Sequence, residues 1–186
     1  MKKKIVMALL SAVATLGYAQ DQDQSKPIEN RKHELRIDAL EALIFPALDI
    51  SYEYVISKYS GVGITGWVSL DGGDDDIENY QKFAITPYFR QYFFNKKDYG
   101  ARGFYAEGLL QFAGGDDFDG IIIGIDSSNE SQSWTNFGIG FGLGQKWVSN
   151  NGFILDLNIG GGRYIGSNDN GPDAFFRGGI GVGYRF

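Results

Sequence analysis

The sequence predicts an all-β protein, an eight-stranded antiparallel up-and-down transmembrane β-barrel. Apolar residues recur with a period of two from residue 33 to the end of the chain, which is the side-chain period of a strand. No stretch after the N-terminus reaches the 18 consecutive apolar residues that predict a membrane-spanning helix. The chain of 186 residues has 27 Gly, 14 Phe and 11 Tyr but only 4 Pro, which argues against a helical bundle and against disorder.

The chain begins with the features of an export signal. Lys2–Lys4 provide a positive start, Ile5–Leu16 form an apolar stretch, and Gly17 and Ala19 are small residues where a signal peptidase reads. The apolar stretch is shorter than the roughly 20 residues of a spanning helix. We therefore predict a signal peptide over residues 1–19.

Residues 20–32 are almost wholly polar, with only Ile28 to bury, and predict a flexible N-terminal segment that buries nothing. Without the leader, 14 basic residues face 23 acidic ones, a net charge of −9. Nucleic-acid binding requires the opposite sign, so no nucleic-acid partner is expected.

Residues 33–186 are predicted to form the barrel, because eight segments alternate between an apolar and a polar or glycine face. The predicted strands are His33–Phe45, Leu48–Ile56, Val62–Leu70, Phe83–Phe94, Gly103–Phe112, Trp134–Val148, Phe153–Tyr164 and Phe176–Phe186. Their apolar faces begin Leu35/Ile37, Leu48/Ile50, Val62/Ile64, Phe83/Ile85, Phe104/Ala106, Phe137/Ile139, Phe153/Leu155 and Phe176/Ile180. In the first strand the alternation blurs around Leu40–Glu41, which indicates a bulge.

The connections between these strands alternate in length after a first bend at Pro46–Ala47. The shorter ones are Ser57–Gly61, Asn95–Arg102 and Ser149–Gly152, and the longer ones are Asp71–Gln81, Ala113–Ser133 and Gly166–Asp173. Outer-membrane barrels have short periplasmic turns and longer external loops, so the longer set is predicted to be external. Its carboxylates, Asp71, Asp74, Asp75, Asp76, Glu78, Asp116, Asp117 and Asp119, match no complete calcium-loop pattern and predict solvated acidic loops.

The character of the two faces predicts which one meets lipid. A soluble barrel hides its apolar face inside, whereas the glycine-loaded polar face of this chain suits the crowded interior of a small barrel. The apolar face carries aromatic residues at strand ends, as lipid-interface girdles do: Tyr52, Tyr54, Trp147, Phe153 and Tyr184. Gln91, Gln145 and Arg163 depart from the apolar character of that face.

The export signal, the alternating strands and the terminal Phe186 together resemble small bacterial outer-membrane β-barrel proteins, of the size of OmpX and of the OmpA transmembrane domain. Asp49–Tyr54 and Thr86–Phe93 also resemble an uncharacterised exported barrel family of unknown function. The resemblance implies a multi-pass protein of the bacterial outer membrane that is surrounded by outer-membrane lipid. It also implies that the barrel assembly machinery is a partner, which reads the C-terminal strand ending at Phe186.

Charged residues on the polar face are predicted to pair inside the barrel. The acids are Glu34, Asp38, Asp49, Glu53, Glu107 and Asp156, and the bases are Arg36, Arg90, Lys146, Arg177 and Arg185. An unpaired buried charge costs several kcal/mol, and an eight-stranded interior is just wide enough for side chains to fill. Because sequential strands pair, Arg90 is expected to contact Glu107, with Glu53 as a second partner.

No residue pattern predicts catalysis, a cofactor or a metal site. A Ser-His-acid enzyme needs its three groups within hydrogen-bond reach. The single histidine, His33, lies at the start of the first strand, and no histidine lies near the inward Ser51 and Ser69 in sequence. The glycines of Gly138–Gly144 alternate on a strand and do not form a phosphate loop. We predict a closed barrel that is not an enzyme and has a structural or interaction role. A narrow channel or small-ligand transporter, and a lipid-modifying barrel enzyme, are the alternatives.

Overall fold

The structure is a computed structural model that describes residues 27–44, 47–70, 81–93, 100–116, 133–165 and 171–186. The predicted signal peptide 1–19 lies outside the described residues, as does most of the predicted external loops Asp71–Gln81 and Ala113–Ser133. Among the described residues, no helix has the length and apolar character needed to cross a membrane.

Eight antiparallel strands form a closed barrel in which each strand pairs with its neighbours in sequence and the last pairs with the first. The predicted fold class is therefore confirmed. The strands are β1 (His33–Asp38), β2 (Ala47–Val55), β3 (Ser60–Ser69), β4 (Phe83–Phe93), β5 (Gly103–Asp116), β6 (Ser133–Val148), β7 (Phe153–Ile165) and β8 (Ala174–Arg185).

The up-and-down topology gives the barrel two different ends. The start of β1, the end of β8 and the connections β2–β3, β4–β5 and β6–β7 lie at one end, called the lower end here. The other ends of the strands lie at the opposite, upper end. At the lower end the start of β1 is joined to the last residue, because the Phe186 N–H donates to the His33 carbonyl over 2.8 Å and the His33 N–H donates to the Phe186 carbonyl over 3.1 Å.

The first predicted strand, His33–Phe45, is wrong in its second half. β1 ends at Asp38, and a short helix, α1 (Ala39–Ile44), follows it. The Asp38 carboxylate accepts hydrogen bonds from the backbone N–H groups of Leu40 (2.9 Å) and Glu41 (3.0 Å), which is an N-cap. The blurred alternation therefore marks the start of a helix and not a bulge, and the Asp-x-x-Glu spacing before apolar helix formers was the overlooked signal.

Most of the other predicted strand ends differ from the observed ones by one or two residues, and the end of β5 differs by four. β5 continues to Asp116, so the first four residues of the predicted loop Ala113–Ser133 belong to a strand. The backbone of this extension pairs with the start of β6, from Ala113 opposite Asn136 to Asp116 opposite Ser133. A strand therefore continues into the predicted loop, because the facing segment of β6 satisfies its backbone hydrogen bonds.

The end of the N-terminal segment 20–32 is in contact with the barrel. A 3-10 turn, Ile28–Asn30, places Ile28 against the buried side chains of Val148 and Ile154 at the lower end. The expectation that this segment buries nothing is therefore wrong for Ile28. The flexibility of the segment as a whole stays a prediction.

The barrel is apolar outside and polar inside. Large apolar side chains point outward from every strand, and Phe141 and Phe176 are 72% and 77% exposed. Many inward positions are glycine, and several of them lie beneath a long side chain of the neighbouring strand. A Cβ on Gly144 would overlap the Tyr105 ring and its hydroxyl and lie 2.6 Å from the Leu157 carbonyl oxygen.

We predict that Gly144→Ala destabilises the barrel by about 1–3 kcal/mol, because the added methyl group overpacks the interior. Gly108→Ala is the matched control, since a Cβ on this glycine meets no atom within 4 Å. The control should stay within about 0.5 kcal/mol of the parent protein. Urea unfolding of both variants in detergent micelles measures the difference, and equal losses would contradict the inward packing.

Candidate functional site

The interior of the barrel holds a cluster of buried charges that we call the central network. Its members face the lumen, are nearly inaccessible to solvent, and comprise four acids and four bases. They are Glu34, Arg36, Glu53, Arg90, Glu107, Lys146, Asp156 and Arg185. Equal numbers of opposite charges in so small a volume let every charge find a partner, as buried ions require.

Arg90 joins three acids from three different strands. Its Nε lies 2.7 Å from Glu107 Oε2, and its Nη1 lies 3.2 Å from Glu53 Oε2, so both partners expected from the sequence are in contact. Its Nη1 also donates to Asp156 Oδ2 over 2.7 Å. Glu107 lies directly opposite Arg90 in the β4–β5 ladder, whereas Asp156 belongs to β7 and reaches Arg90 only across the lumen.

Glu53 and Glu34 each gather several donors. Glu53 accepts hydrogen bonds from Arg36 (2.9 Å), Lys146 (2.9 Å) and the Tyr92 hydroxyl (2.6 Å), in addition to Arg90. Glu34 accepts from Arg36 (2.7 Å) and Lys146 (2.8 Å). Because the two carboxylates share the same two cations, the loss of one cation would leave both carboxylates short of a donor.

Tyrosine rings fill the space between the charges. The Arg90 guanidinium carbon lies 4.7 Å from the centre of the Tyr88 ring and 4.1 Å from that of the Tyr105 ring. Such contacts favour a desolvated cation. The Tyr105 hydroxyl also donates to Asp156 Oδ1 over 2.9 Å, which satisfies a second carboxylate oxygen. The interior is therefore packed as well as paired.

The lower end of the lumen is sealed by the described part of the β4–β5 connection. Ala101 is fully buried with Val55, Tyr92 and Tyr105. Ala101 adopts a left-handed backbone conformation with φ of 53°, and its N–H donates to the Lys58 carbonyl over 2.9 Å. The side chain of Arg185 holds the backbone at Gly100 and Ala101 in this conformation.

Arg185 provides that hold from the end of β8. Its guanidinium donates to the carbonyl oxygens of Gly100 and Ala101, each over 2.8 Å, and Nε donates to Glu34 over 2.7 Å. The same side chain thus joins the central network to the lower closure.

Above the central network the balance of charge changes. Asp38, Glu41, Asp49 and Arg177 border a cavity of about 20 Å³, and we call these four residues the acid pocket. A cavity of this size holds about one water molecule. Glu41 Oε2 and Arg177 Nη1 are buried without a hydrogen-bond partner among the described residues. Glu41 is not among the charges predicted to face the lumen, because the alternation predicts a strand there and only the spacing from Asp38 to Glu41 indicates a helix.

Aromatic residues close the lumen at the upper end. Trp134 and Tyr164 are buried together with Ala84 and Ala113, and the half-buried Trp67 and Phe175 pack against them. From bottom to top, the lumen therefore holds an aromatic layer, the central network, the acid pocket and a second aromatic layer.

The residues considered for catalysis are not brought together. His33 lies on the outer face, where its Nδ1 is 2.7 Å from the Tyr52 hydroxyl and its ring stacks on Phe186. Ser51 lies inside, 2.7 Å from the Thr65 hydroxyl. Within the described part of the chain, no group of three or more potential ligands has the geometry of a metal site. Apart from Asp116, the acidic clusters of the predicted external loops lie outside that part.

Comparison with solved structures relates the fold of the chain to a known barrel. The crystal structure of the N-terminal β-barrel domain of Pseudomonas aeruginosa OprF superposes with a TM-score of 0.56 at 12% sequence identity, covering 87% of this chain and 100% of that one. At this identity the likeness shows the fold. No protein-family model and no curated protein matches the chain. The resemblance to an uncharacterised exported family therefore gains no support from these comparisons.

We predict that Arg90→Ala lowers the free energy of unfolding by about 3–5 kcal/mol, because it leaves buried carboxylates without their cation. Arg163→Ala is the control, since Arg163 is an exposed arginine on the outer face of β7. The control should change stability by no more than about 0.5 kcal/mol. Urea titrations of both variants in the same micelles provide the measurement, and an unaltered Arg90→Ala barrel would mean that the interior is hydrated.

Proposed function

We propose that this protein is a bacterial outer-membrane β-barrel with a closed, ion-paired interior that displays acidic loops outside the cell and has a structural or interaction role. The observation that carries the proposal is the inverted distribution of side chains. The outward face of the strands is apolar, and the lumen holds the buried charges of the central network. A closed barrel satisfies all its backbone hydrogen bonds between strands, so it is one of the two structures able to span a lipid bilayer.

Lipid is the environment that this outer surface fits. Soluble monomers rarely expose contiguous apolar patches larger than a few hundred Å². Here large apolar side chains are exposed on all eight strands. At the lower end, outward aromatic residues form a band, as expected where a barrel meets the membrane interface: Tyr52, Tyr54, Phe93, Phe104, Trp147, Phe153 and Phe186.

The closed interior supports a structural or interaction role over transport. The four acids and four bases of the central network are joined by direct ion pairs of 2.5–3.5 Å, and aromatic layers lie on both sides of them. Ion flow requires a hydrated path, and the described lumen offers none through this section. His33 lies on the outer face and Ser51 in the lumen, so these two residues do not favour the lipid-modifying Ser-His-acid enzyme.

A narrow channel is the second candidate. The acid pocket favours it, because the buried and unpartnered atoms of Glu41 and Arg177 are what a hydrated section of lumen would contain. The central network would then have to open for ions to cross.

We expect the mature protein to fractionate with the outer membrane, to migrate differently on gels before and after heating, and to show no steady conductance in planar bilayers. The first two results follow from the apolar exterior of a stable closed barrel, and the third from the central network. Recovery as a soluble periplasmic protein would contradict the proposed location in the outer membrane. A steady ohmic current from the wild-type barrel would replace the leading proposal with the channel.

Phe186 is predicted to be needed for assembly in the outer membrane and not for export. Its exposed ring directly follows the last residue of β8, and we propose that the barrel assembly machinery recognises this C-terminal segment. Phe186→Ala should leave signal-peptide removal intact but reduce the heat-modifiable form in the outer membrane. Phe153→Ala, which removes another exposed ring of the lower band, is the control and should assemble normally. Equal outer-membrane levels of the two variants would exclude a special role for Phe186.

A further inference from the structure

The barrel wall has a gap between β8 and β2 in its upper half. β1 is only six residues long, and its last paired residue, Asp38, lies opposite Gly181 of β8. From there β8 continues up to Ala174, and β2 extends up to Ala47, without β1 between them. Helix α1 packs against both β8 and β2 and so occupies the place that β1 leaves open.

The position of α1 depends on one carboxylate and one glycine. Asp38 caps the helix through the backbone N–H groups of Leu40 and Glu41. Its carboxylate lies over Gly179 of β8, where a side-chain carbon would overlap it. Gly179 therefore leaves the space that lets Asp38 hold the start of α1 against β8.

The acid pocket beneath α1 carries more negative than positive charge. Three carboxylates, those of Asp38, Glu41 and Asp49, face one cation, Arg177. When all four groups are ionised, two negative charges remain without a counterion in a space that holds about one water molecule.

Arg177 also lies 4.0 Å from Glu107 of the central network. The other charged groups around the cavity offset the negative excess only in part. They are Arg36 of β1, Arg90 of β4 and Asp156 of β7. Arg36 lies 2.7 Å from Glu34 and 2.9 Å from Glu53, and Arg90 lies 2.7 Å from Glu107 and from Asp156. Both cations are thus engaged by carboxylates of the central network. A proton on the acid pocket is the simplest means of reducing its charge.

We propose that α1 is a pH-sensitive lid, which is seated in the gap between β8 and β2 while Glu41 holds a proton and is released when Glu41 ionises. Release would open the acid pocket through the gap between β8 and β2, beneath the upper aromatic layer. The central network lies below the pocket and stays paired, so the lid controls access to the upper lumen without opening a path through the barrel.

The titration of Glu41, in the connection between β1 and β2, falls in the physiological range. Burial, followed by the charges of Asp49 and Asp38, raises the pKa of Glu41 from 4.5 to about 7, against the opposing effects of a hydrogen bond from Trp67 and the charge of Arg177. On release the pKa returns toward 4.5. The seated state of α1 therefore binds the Glu41 proton more tightly than the released state. The stabilisation that this proton gives to the seated state is complete below about pH 4.5 and is lost as the pH rises through about 7.

Hydrogen exchange of the α1 backbone amides tests the lid, with the full barrel in detergent micelles at pH 5 and pH 8 and rates corrected for intrinsic exchange. We expect the protection of the α1 amides to be up to about 100-fold higher at pH 5 than at pH 8. The factor follows because pH 5 lies two pH units below the Glu41 pKa of about 7. The strand amides of β4 and β5 serve as an internal reference and should not change.

Three variants distinguish the lid from a general effect of pH. Glu41→Gln keeps the shape but removes the charge, so α1 should stay protected at both pH values. Gly179→Ala displaces Asp38, so α1 should be unprotected at both. Glu29→Gln, which alters an exposed carboxylate of the 3-10 turn at the lower end, is the control and should behave as the wild type.

The proposal is overturned if wild-type α1 is equally protected at pH 5 and pH 8, or if Glu41→Gln retains the wild-type pH dependence. Should Glu41→Gln fail to give a heat-modifiable barrel, Asp49→Asn takes its place. That variant removes another carboxylate from the pocket and should narrow the difference between the two pH values; an unchanged difference would count against the lid. The measurement uses the purified barrel, so its result is independent of where the protein resides in the cell.

Discussion

The rest of the structure depends on one constraint, the burial of eight charged side chains in an interior only as wide as those side chains. Glu53 illustrates the consequence, because its two oxygens accept hydrogen bonds from three cations and two tyrosines. Such convergence requires space, which glycine provides. A Cβ on Gly61 would overlap the Glu53 carboxylate, and one on Gly142 would crowd that of Glu107. The glycine face and the charged face are therefore two parts of the same packing arrangement.

The same constraint explains why the two halves of the lumen differ. In the lower half acids and bases are equal in number, the start of β1 pairs with Phe186, and Arg185 joins the β4–β5 connection to Glu34. In the upper half β1 stops early, and a six-residue helix replaces it beside an excess of carboxylates. A cluster whose charges are all paired has a stability that changes little with pH. An excess of like charge makes the stability depend on protonation. A closed lower half and a pH-responsive upper half are thus consequences of how charge is distributed.

The outer surface follows a simpler rule than the interior. Lipid requires only that side chains be apolar, so the outward positions tolerate any large hydrophobic residue. The inward positions are restricted by pairing and volume, but many combinations of acid, base and glycine can satisfy those restrictions. This freedom is consistent with a barrel of the same fold in Pseudomonas aeruginosa OprF at only 12% identity. The fold is preserved by the alternation of apolar and polar residues along each strand and by the pairing of strands that are neighbours in sequence. Neither feature depends on particular residues.

The sequence by itself determined the number of strands, their inward and outward faces, and the contact between Arg90 and Glu107, because each of these follows from a period of two and from the pairing of sequential strands. It did not predict the contact between Arg90 and Asp156, since residues of β4 and β7 meet only when the barrel closes at a particular stagger. Nor did it predict α1, although the cap at Asp38 was present in the local spacing. Tertiary structure decided whether that segment continued as a strand or became a helix. Gly179 of β8 leaves room for the Asp38 carboxylate, and α1 packs against the upper part of β8 that β1 leaves unpaired.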